Sequence, residues 1–192
     1  MRPPPVDEPP WRMVADWAPF LLTVLLAGNR RVAHWEGELS GELNRLPDSL
    51  HAPLWAVMQL GALGAPAVLG TAAALSGRRV LGWRLARSGL AAYLVAKGVK
   101  RVVARGRPLE FLPGVHIRGR PASGDGFVSG HAAVSMALAT EAYHHFGLRA
   151  WPLPVVVAPL VGTARIYVGA HLPLDVLGGA ALGWAIARTG RQ

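Results

Sequence analysis

The chain has 192 residues, a formal net charge of +9 and no cysteine, which excludes disulfides, thiolate catalysis and cysteine-ligated zinc. Its length suits a single domain. Apolar residues make 52% of it; counting the 23 glycines in and the three tyrosines out gives about 62%, against about 45–50% for soluble domains, and this excess favours a membrane.

The chain opens on "MRPPPVDEPPW", with five prolines among its first ten residues, and residues 1–16 are expected to form a disordered lead-in. No apolar core follows directly on a basic start, so a signal peptide is not expected. The first apolar run is Trp17 to Gly28. Next, Trp35, Leu39, Leu43, Leu46 and Leu50 recur at spacings of four, four, three and four, which predicts an amphipathic helix. Its opposite face carries Glu36, Glu38 and Glu42, as expected of a helix lying in the membrane interface or packed on a bundle.

Leu54 to Gly77 contains no charged residue and is long enough to cross about 30 Å of hydrocarbon. Further apolar runs cover Ser88 to Ala104, Ala132 to Tyr143, Leu153 to Ala164 and Asp175 to Ala187. None shows the wide polar face of a surface helix. The expectation is an all-α protein, an integral-membrane bundle of six transmembrane helices with the amphipathic helix between the first two. Residues 17–192 then form one membrane domain.

Three clusters of ionisable residues fall where apolar runs meet loops. In "KGVKRVVARGRP", Lys100 and Arg107 stand seven residues apart on one helical face, and Pro108 marks a stop. Two such cations can neutralise an oxyanion, although a basic stretch meeting lipid phosphates reads the same way. In "GDGFVSGHAAVSMALA" a Gly-rich loop runs into a helix. Ser129 is a candidate N-cap, Gly130 leaves backbone N–H groups open to an anion, and His131 can give a proton to a leaving oxygen. In "RIYVGAHLPLD", His171 and Asp175 are four apart, so the carboxylate can fix the imidazole tautomer and leave the other nitrogen to act as base or nucleophile. Arg165 adds a third cation. With six spans, the loops after the first, third and fifth lie on one side, so the clusters can converge.

The order Lys, six residues, Arg-Pro; Ser-Gly-His; Arg, five residues, His, three residues, Asp resembles the three-part signature of the type-2 phosphatidic acid phosphatase superfamily of membrane lipid phosphatases. The resemblance runs from about Leu54 to Ala187. It implies hydrolysis without metal or cofactor, in which His171 attacks phosphorus, Asp175 orients and charges it, and His131 protonates the departing oxygen. Lys100, Arg107, Arg165, Ser129 and the Gly130 backbone would hold the phosphoryl oxygens. The implied substrate is a lipid phosphate or pyrophosphate and the implied partners are membrane lipids, not nucleic acid. A membrane protein that only binds an anionic head group, or passes an anion, is the alternative; it would need the cations but neither histidine. Vanadium haloperoxidases share the motifs but are soluble and much larger.

Two positions depart from the pattern: Val128 stands where the family usually has Pro, and Ala164 where it has Ser. The missing hydroxyl removes one phosphate contact, worth about 1 kcal/mol, or about tenfold in rate at most. Lys and Arg outside the motifs number nine on the side opposite the site and eight on the site side, which decides nothing. The dense "RRVLGWRLAR" after the second apolar run favours a cytoplasmic position for that stretch and an outward-facing site.

Overall fold

The computed structural model describes residues 10–29 and 31–190; among them every regular element is helical and no strand occurs. Helix α1 (Pro10–Ala27) starts inside the expected lead-in, with Pro10 in the first turn, where its missing N–H leaves no bond unmade. Residues 1–9, the rest of that lead-in, lie outside the described residues. On α1, Phe20 faces the core while Leu21, Leu22, Leu25 and Leu26 are exposed.

Helix α2 (His34–Asn44) is amphipathic, but with its polar side turned in. Glu36, Ser40 and Asn44, spaced by four, are buried, while Trp35 and Leu39 are 46% and 41% exposed. The expected acidic face is therefore divided: Glu38 and Glu42 point outward and Glu36 points into the protein. Asn44 explains part of this inversion. Its Nδ2 donates to the carbonyls of His116 and Tyr167 at 2.8 and 2.9 Å, and its Oδ1 accepts from the His116 N–H at 2.8 Å.

The apolar run Leu54 to Gly77, expected as one straight span, is broken. Helix α3 (His51–Met58) passes through a tight turn at Gln59–Gly61 into α4 (Ala65–Leu75), and the two halves meet at 71°. Ala62 adopts an extended conformation, and Pro66 in the first turn of α4 cannot donate a helical bond back to it. The turn lets Gly61 settle on the carbonyl of His131, where a Cβ would collide. Among the described residues no single helix is both long and apolar enough to cross a membrane; this bent pair passes the test only together.

Helix α5 (Arg79–Val103) begins nine residues before the expected Ser88 because "RVLGWRLAR" is itself amphipathic, burying Leu81 and Leu85. It ends at Ala104, a non-glycine residue in the left-handed region at φ 48°. A short helix α6 (Pro108–Phe111) and a loop lead to α7 (Gly130–Phe146). A π turn at Leu153–Val157 feeds α8 (Ala158–Tyr167), and α9 (Pro173–Thr189) closes the bundle. The core joins Leu85, Ala92 and Ala96 of α5 to Ala133, Val134 and Ala137 of α7 and Leu182 of α9. Helices α7 and α9 approach closely because Gly179 and Gly183 lie against the carbonyls of Ser129 and Ala133. Tight packing of this kind fixes the chain segments that carry the three clusters.

Candidate active site

The three clusters meet at one end of the bundle. A cavity of about 410 Å³ opens there, bordered by Arg107, His131 and Arg165 together with Trp55, Met58 and Gln59 of the bent pair. Lys100 stands at the edge of this group, its Nζ donating to the carbonyls of Asp125 and Gly126 at 3.0 and 2.8 Å. Arg107 spreads its guanidinium over three carbonyls: Nε to Gly124 at 2.7 Å, Nη1 to Ala170 at 2.6 Å and Nη2 to Ser123 at 3.1 Å. Arg165 Nη1 lies 3.7 Å from the Met58 sulfur. These cations are aimed by dipoles and a thioether rather than by carboxylates, so their charge stays available to an anion.

Ser129 caps α7, its Oγ accepting from the Ala132 N–H at 3.4 Å, and its own N–H donates to the Asp175 carbonyl at 2.8 Å. That hydroxyl is fully buried. Next to it, the space where a Gly130 side chain would stand is open, leaving the start of α7 approachable. The two departures from the family pattern sit elsewhere: Val128 is fully buried in the main core, and Ala164 packs in a smaller cluster with Met58 and Tyr167.

His171 lies deeper than His131, only 3% exposed, and borders a second cavity of about 300 Å³ on the α2 side with Ser40. Its Nδ1 faces Asp175 Oδ2 at 3.5 Å, leaving Nε2 unengaged by that carboxylate. Burial holds the His171 imidazole well below its ordinary pKa, and the charges of Lys100, Arg165 and Arg107 and the nearby His131 push the same way. The ring is therefore neutral at physiological pH, the state a nucleophile or base requires. Burial likewise lowers the Arg107 pKa, against the pull of Asp175, Glu110 and Asp125. Among the described residues no group of three or more His, Asp or Glu is placed to hold a metal ion.

Sequence reasoning missed two residues. Arg105, one of the eight basic residues on the site side, is fully buried, with Nη1 donating to Asp175 Oδ1 at 3.1 Å and Nη2 to Glu36 Oε2 at 2.6 Å. Glu36, read only as part of the acidic face of an amphipathic helix, is that arginine's second partner. No local signal marks Arg105, because the helical face expected to run from Lys100 to Arg107 passes over it, whereas α5 ends at Val103.

The end of the bundle thus gathers three cations without an ion-pair contact among the described residues, two histidines and a buried carboxylate, a set suited chemically to holding a phosphoryl group. Residues 81–191 match the sequence model of the PAP2 superfamily, and the chain belongs to that family. It is 37% identical over 107 residues to a decaprenylphosphoryl-5-phosphoribose phosphatase of Mycobacterium tuberculosis, a stretch covering 55% of this chain and 58% of that protein. It is 31% identical over 105 residues to an undecaprenyl-diphosphatase of Sulfolobus acidocaldarius, covering 55% of this chain and 51% of that one. The chain thus matches little more than half the length of these curated relatives. In fold it is similar to the transmembrane PAP2-type phosphatidylglycerolphosphate phosphatase of Bacillus subtilis, with a TM-score of 0.74 and 21% identity over 92% of this chain and 94% of that one. It also resembles LpxE of Aquifex aeolicus, with a TM-score of 0.73 and 24% identity over 80% of this chain and 93% of that one.

Proposed function

We propose that this protein is a membrane-embedded phosphatase that hydrolyses a lipid phosphate or lipid pyrophosphate through a phosphohistidine on His171, without metal or cofactor. The observation that supports it best is the placement of Lys100, Arg107 and Arg165 close enough to His171, and of Lys100 and Arg165 close enough to His131, to act on these rings electrostatically, with no carboxylate among the described residues in ion-pair contact with any of the three. Binding alone would use the cations and leave both histidines and Asp175 without a task.

In this reading the cations and the N-terminus of α7 hold the phosphoryl oxygens. The Nε2 lone pair of His171 attacks phosphorus in line with the leaving oxygen. As the P–O bond breaks, His131 gives its proton to that oxygen, and Asp175 balances the charge left on the His171 ring. Water then attacks the phosphohistidine, giving a proton to His131; the P–N bond breaks, inorganic phosphate departs and both histidines are restored.

The surface supports a bilayer setting. Leu25, Leu75, Val102 and Leu148 are 76–85% exposed, which water would penalise. Exposed tryptophans stand at both ends, with Trp35 and Trp55 near the site and Trp11, Trp83 and Trp151 at the far end, the distribution of interfacial aromatic belts. The bent α3–α4 pair then takes the place of one straight span, and its bend forms a wall of the site. The arginines at residues 78–87 favour a cytoplasmic far end and an outward-facing site. Polyprenyl pyrophosphate, phosphatidylglycerol phosphate and phosphatidic acid are the candidate substrates.

The test is phosphate release by the purified protein from a panel of these lipids. Turnover of at least one, abolished in His171→Ala, is expected. No turnover of any of them, with the three cations intact, would favour head-group binding instead.

A further inference from the structure

Helix α5 stops at Ala104, whose left-handed backbone turns the next residue back into the protein. The residue so placed is Arg105, whose side chain is fully buried, as are those of Asp175 and Glu36 at 0% and 1% exposure. Its Nη1 donates to both carboxylates, to Asp175 Oδ1 at 3.1 Å and to Glu36 Oε1 at 3.2 Å. Nη2 donates to Glu36 Oε2 at 2.6 Å and to the Arg31 carbonyl at 2.8 Å.

Both carboxylates also grip the segment that carries His171. Asp175 Oδ2 accepts from the Leu172 N–H at 2.9 Å, and Glu36 Oε1 from the Leu174 N–H at 3.0 Å. Asp175 therefore spends one oxygen on Arg105 and presents the other to Leu172 and, at 3.5 Å, to His171. Its position along that line is set by an arginine that another carboxylate anchors from behind.

On the phosphatase reading above, we infer that Glu36 and Arg105 are positioning residues: they hold Asp175, and through it His171, in the alignment that attack on phosphorus requires. Neither borders the cavity of His131, Arg107 and Arg165. Their contribution is to the rate of the bound complex and not to phosphate binding. Helix α2 thus acts as part of the site, delivering an acid from a different segment of the chain than the three motifs.

The test compares wild type, Glu36→Gln, Arg105→Lys, Arg105→Met and the double variant Glu36→Gln/Arg105→Met for kcat and KM on the best lipid substrate and for inhibition by inorganic phosphate. The double variant keeps the trio's net charge of −1 but leaves Asp175 without its arginine, whereas Glu36→Gln keeps the Arg105–Asp175 pair and removes only the anchor behind it. It and Glu36→Gln decide the question if Arg105→Met does not fold. Expected is a 10- to 100-fold loss of kcat in Glu36→Gln and the double variant, of the order that about 1 Å of misplacement costs. KM and inhibition by inorganic phosphate should stay within about threefold of wild type, the loss being one of alignment and not of binding. Arg105→Lys should recover part of the rate that Arg105→Met loses, since an ammonium can bridge two carboxylates but without the fork.

Wild-type kcat in Glu36→Gln or in the double variant would overturn the proposal and leave the phosphatase reading standing. So would a kcat loss matched by an equal loss of inorganic phosphate binding, which would mark a collapsed pocket. A wild type that turns over none of the lipids would overturn both.

Discussion

Gly126 gives the sharpest single-atom test of the site. Its N–H donates to the Arg105 carbonyl at 2.7 Å, and its own carbonyl accepts from Lys100 Nζ at 2.8 Å. A Cβ there would stand 2.6 Å from the Gly106 carbonyl oxygen and 3.0 Å from Asp175 Oδ2, where ordinary contact begins at 3.4 Å. The loop bearing residue 126 must therefore withdraw by about 0.8 Å, because one obstacle is backbone and the other a carboxylate already held by Arg105 and Leu172. Overpacking of this size costs about 1–3 kcal/mol. For a chain of this length that lowers the melting temperature by about 2–4 °C per kcal/mol. Catalysis should suffer more, since the methyl presses on the carboxylate oxygen that faces His171 while pulling the Lys100 acceptors away; a shift approaching 1 Å costs about 100-fold in rate. The assay is thermal unfolding in detergent alongside kcat on the best lipid substrate for Gly126→Ala. A variant that unfolds and turns over like wild type would refute the claim that these groups form one rigid unit.

Other outcomes follow from the same geometry. His171→Ala should lose all turnover and all acid-labile, alkali-stable label from radiolabelled substrate, and label persisting in that variant would place the nucleophile elsewhere. His131→Ala should slow an alkyl phosphate by about 100-fold or more and a pyrophosphate or aryl phosphate distinctly less; an equal loss across leaving groups would deny it the proton-donor role. Because the folded pKa of His171 is depressed, its neutral form survives to lower pH than a free imidazole's. The acid limb it sets in kcat/KM should thus fall below the ordinary pKa of about 6.5, and in kcat, where bound phosphate offsets the cations, at higher pH than in kcat/KM. A kcat/KM limb above 6.5 that moves in a His131 variant would assign it to the wrong ring. Chelators should leave activity intact and vanadate should inhibit; an absolute Mg²⁺ requirement of the purified protein would end the proposed mechanism.

What the sequence made legible is what local spacing controls. Ser129 caps α7 as its position after the Gly-rich loop suggested, because capping is a property of a few consecutive residues. Lys100 and Arg107, expected on one helical face, do not share one: α5 ends at Val103 with a left-handed Ala104, and Arg107 lies beyond it on extended backbone. His171 does face Asp175, but from the loop just before α9, which starts at Pro173, and not from a helical turn. The bend at Gln59–Gly61 was not legible as a bend. Pro66 was the one local sign of a break in a run whose glycines and alanines are otherwise compatible with a straight span, and the approach of Gly61 to His131 shows what the bend accommodates. The amphipathic character of α2 was legible, but periodicity is blind to which face turns inward, and the sequence left both placements open. With Trp35 and Leu39 outward and Glu36, Ser40 and Asn44 inward, the apolar stripe faces away from the bundle. Arg105 was missed because its partners, Glu36 and Asp175, lie 69 and 70 residues away, and no local pattern announces a bridge of that length.

These features make sense together as a separation of charge across one imidazole. On the Nδ1 side of His171 stand Asp175 and, behind it, Arg105 and Glu36, a buried trio with a net charge of −1 when all three are ionised. The other side of the site gathers Lys100, Arg107 and Arg165, fixed by carbonyls and a sulfur. If the two sets were in contact they would neutralise one another, and the pocket would have little left for an anion. Arg105 takes up Asp175 and Glu36 from within, and among the described residues no carboxylate makes an ion-pair contact with the three cations, which on the proposed reading leaves them for a phosphate. In the resting protein that excess of positive charge disfavours protonation of His171. Once a phosphate is bound, the positive charge that develops on the ring during attack has Asp175 beside it and neutralised cations opposite. On the proposed mechanism the same buried arginine leaves the cations to the substrate and holds the carboxylate for the nucleophile, which would make an ion pair remote from the cavity part of its chemistry.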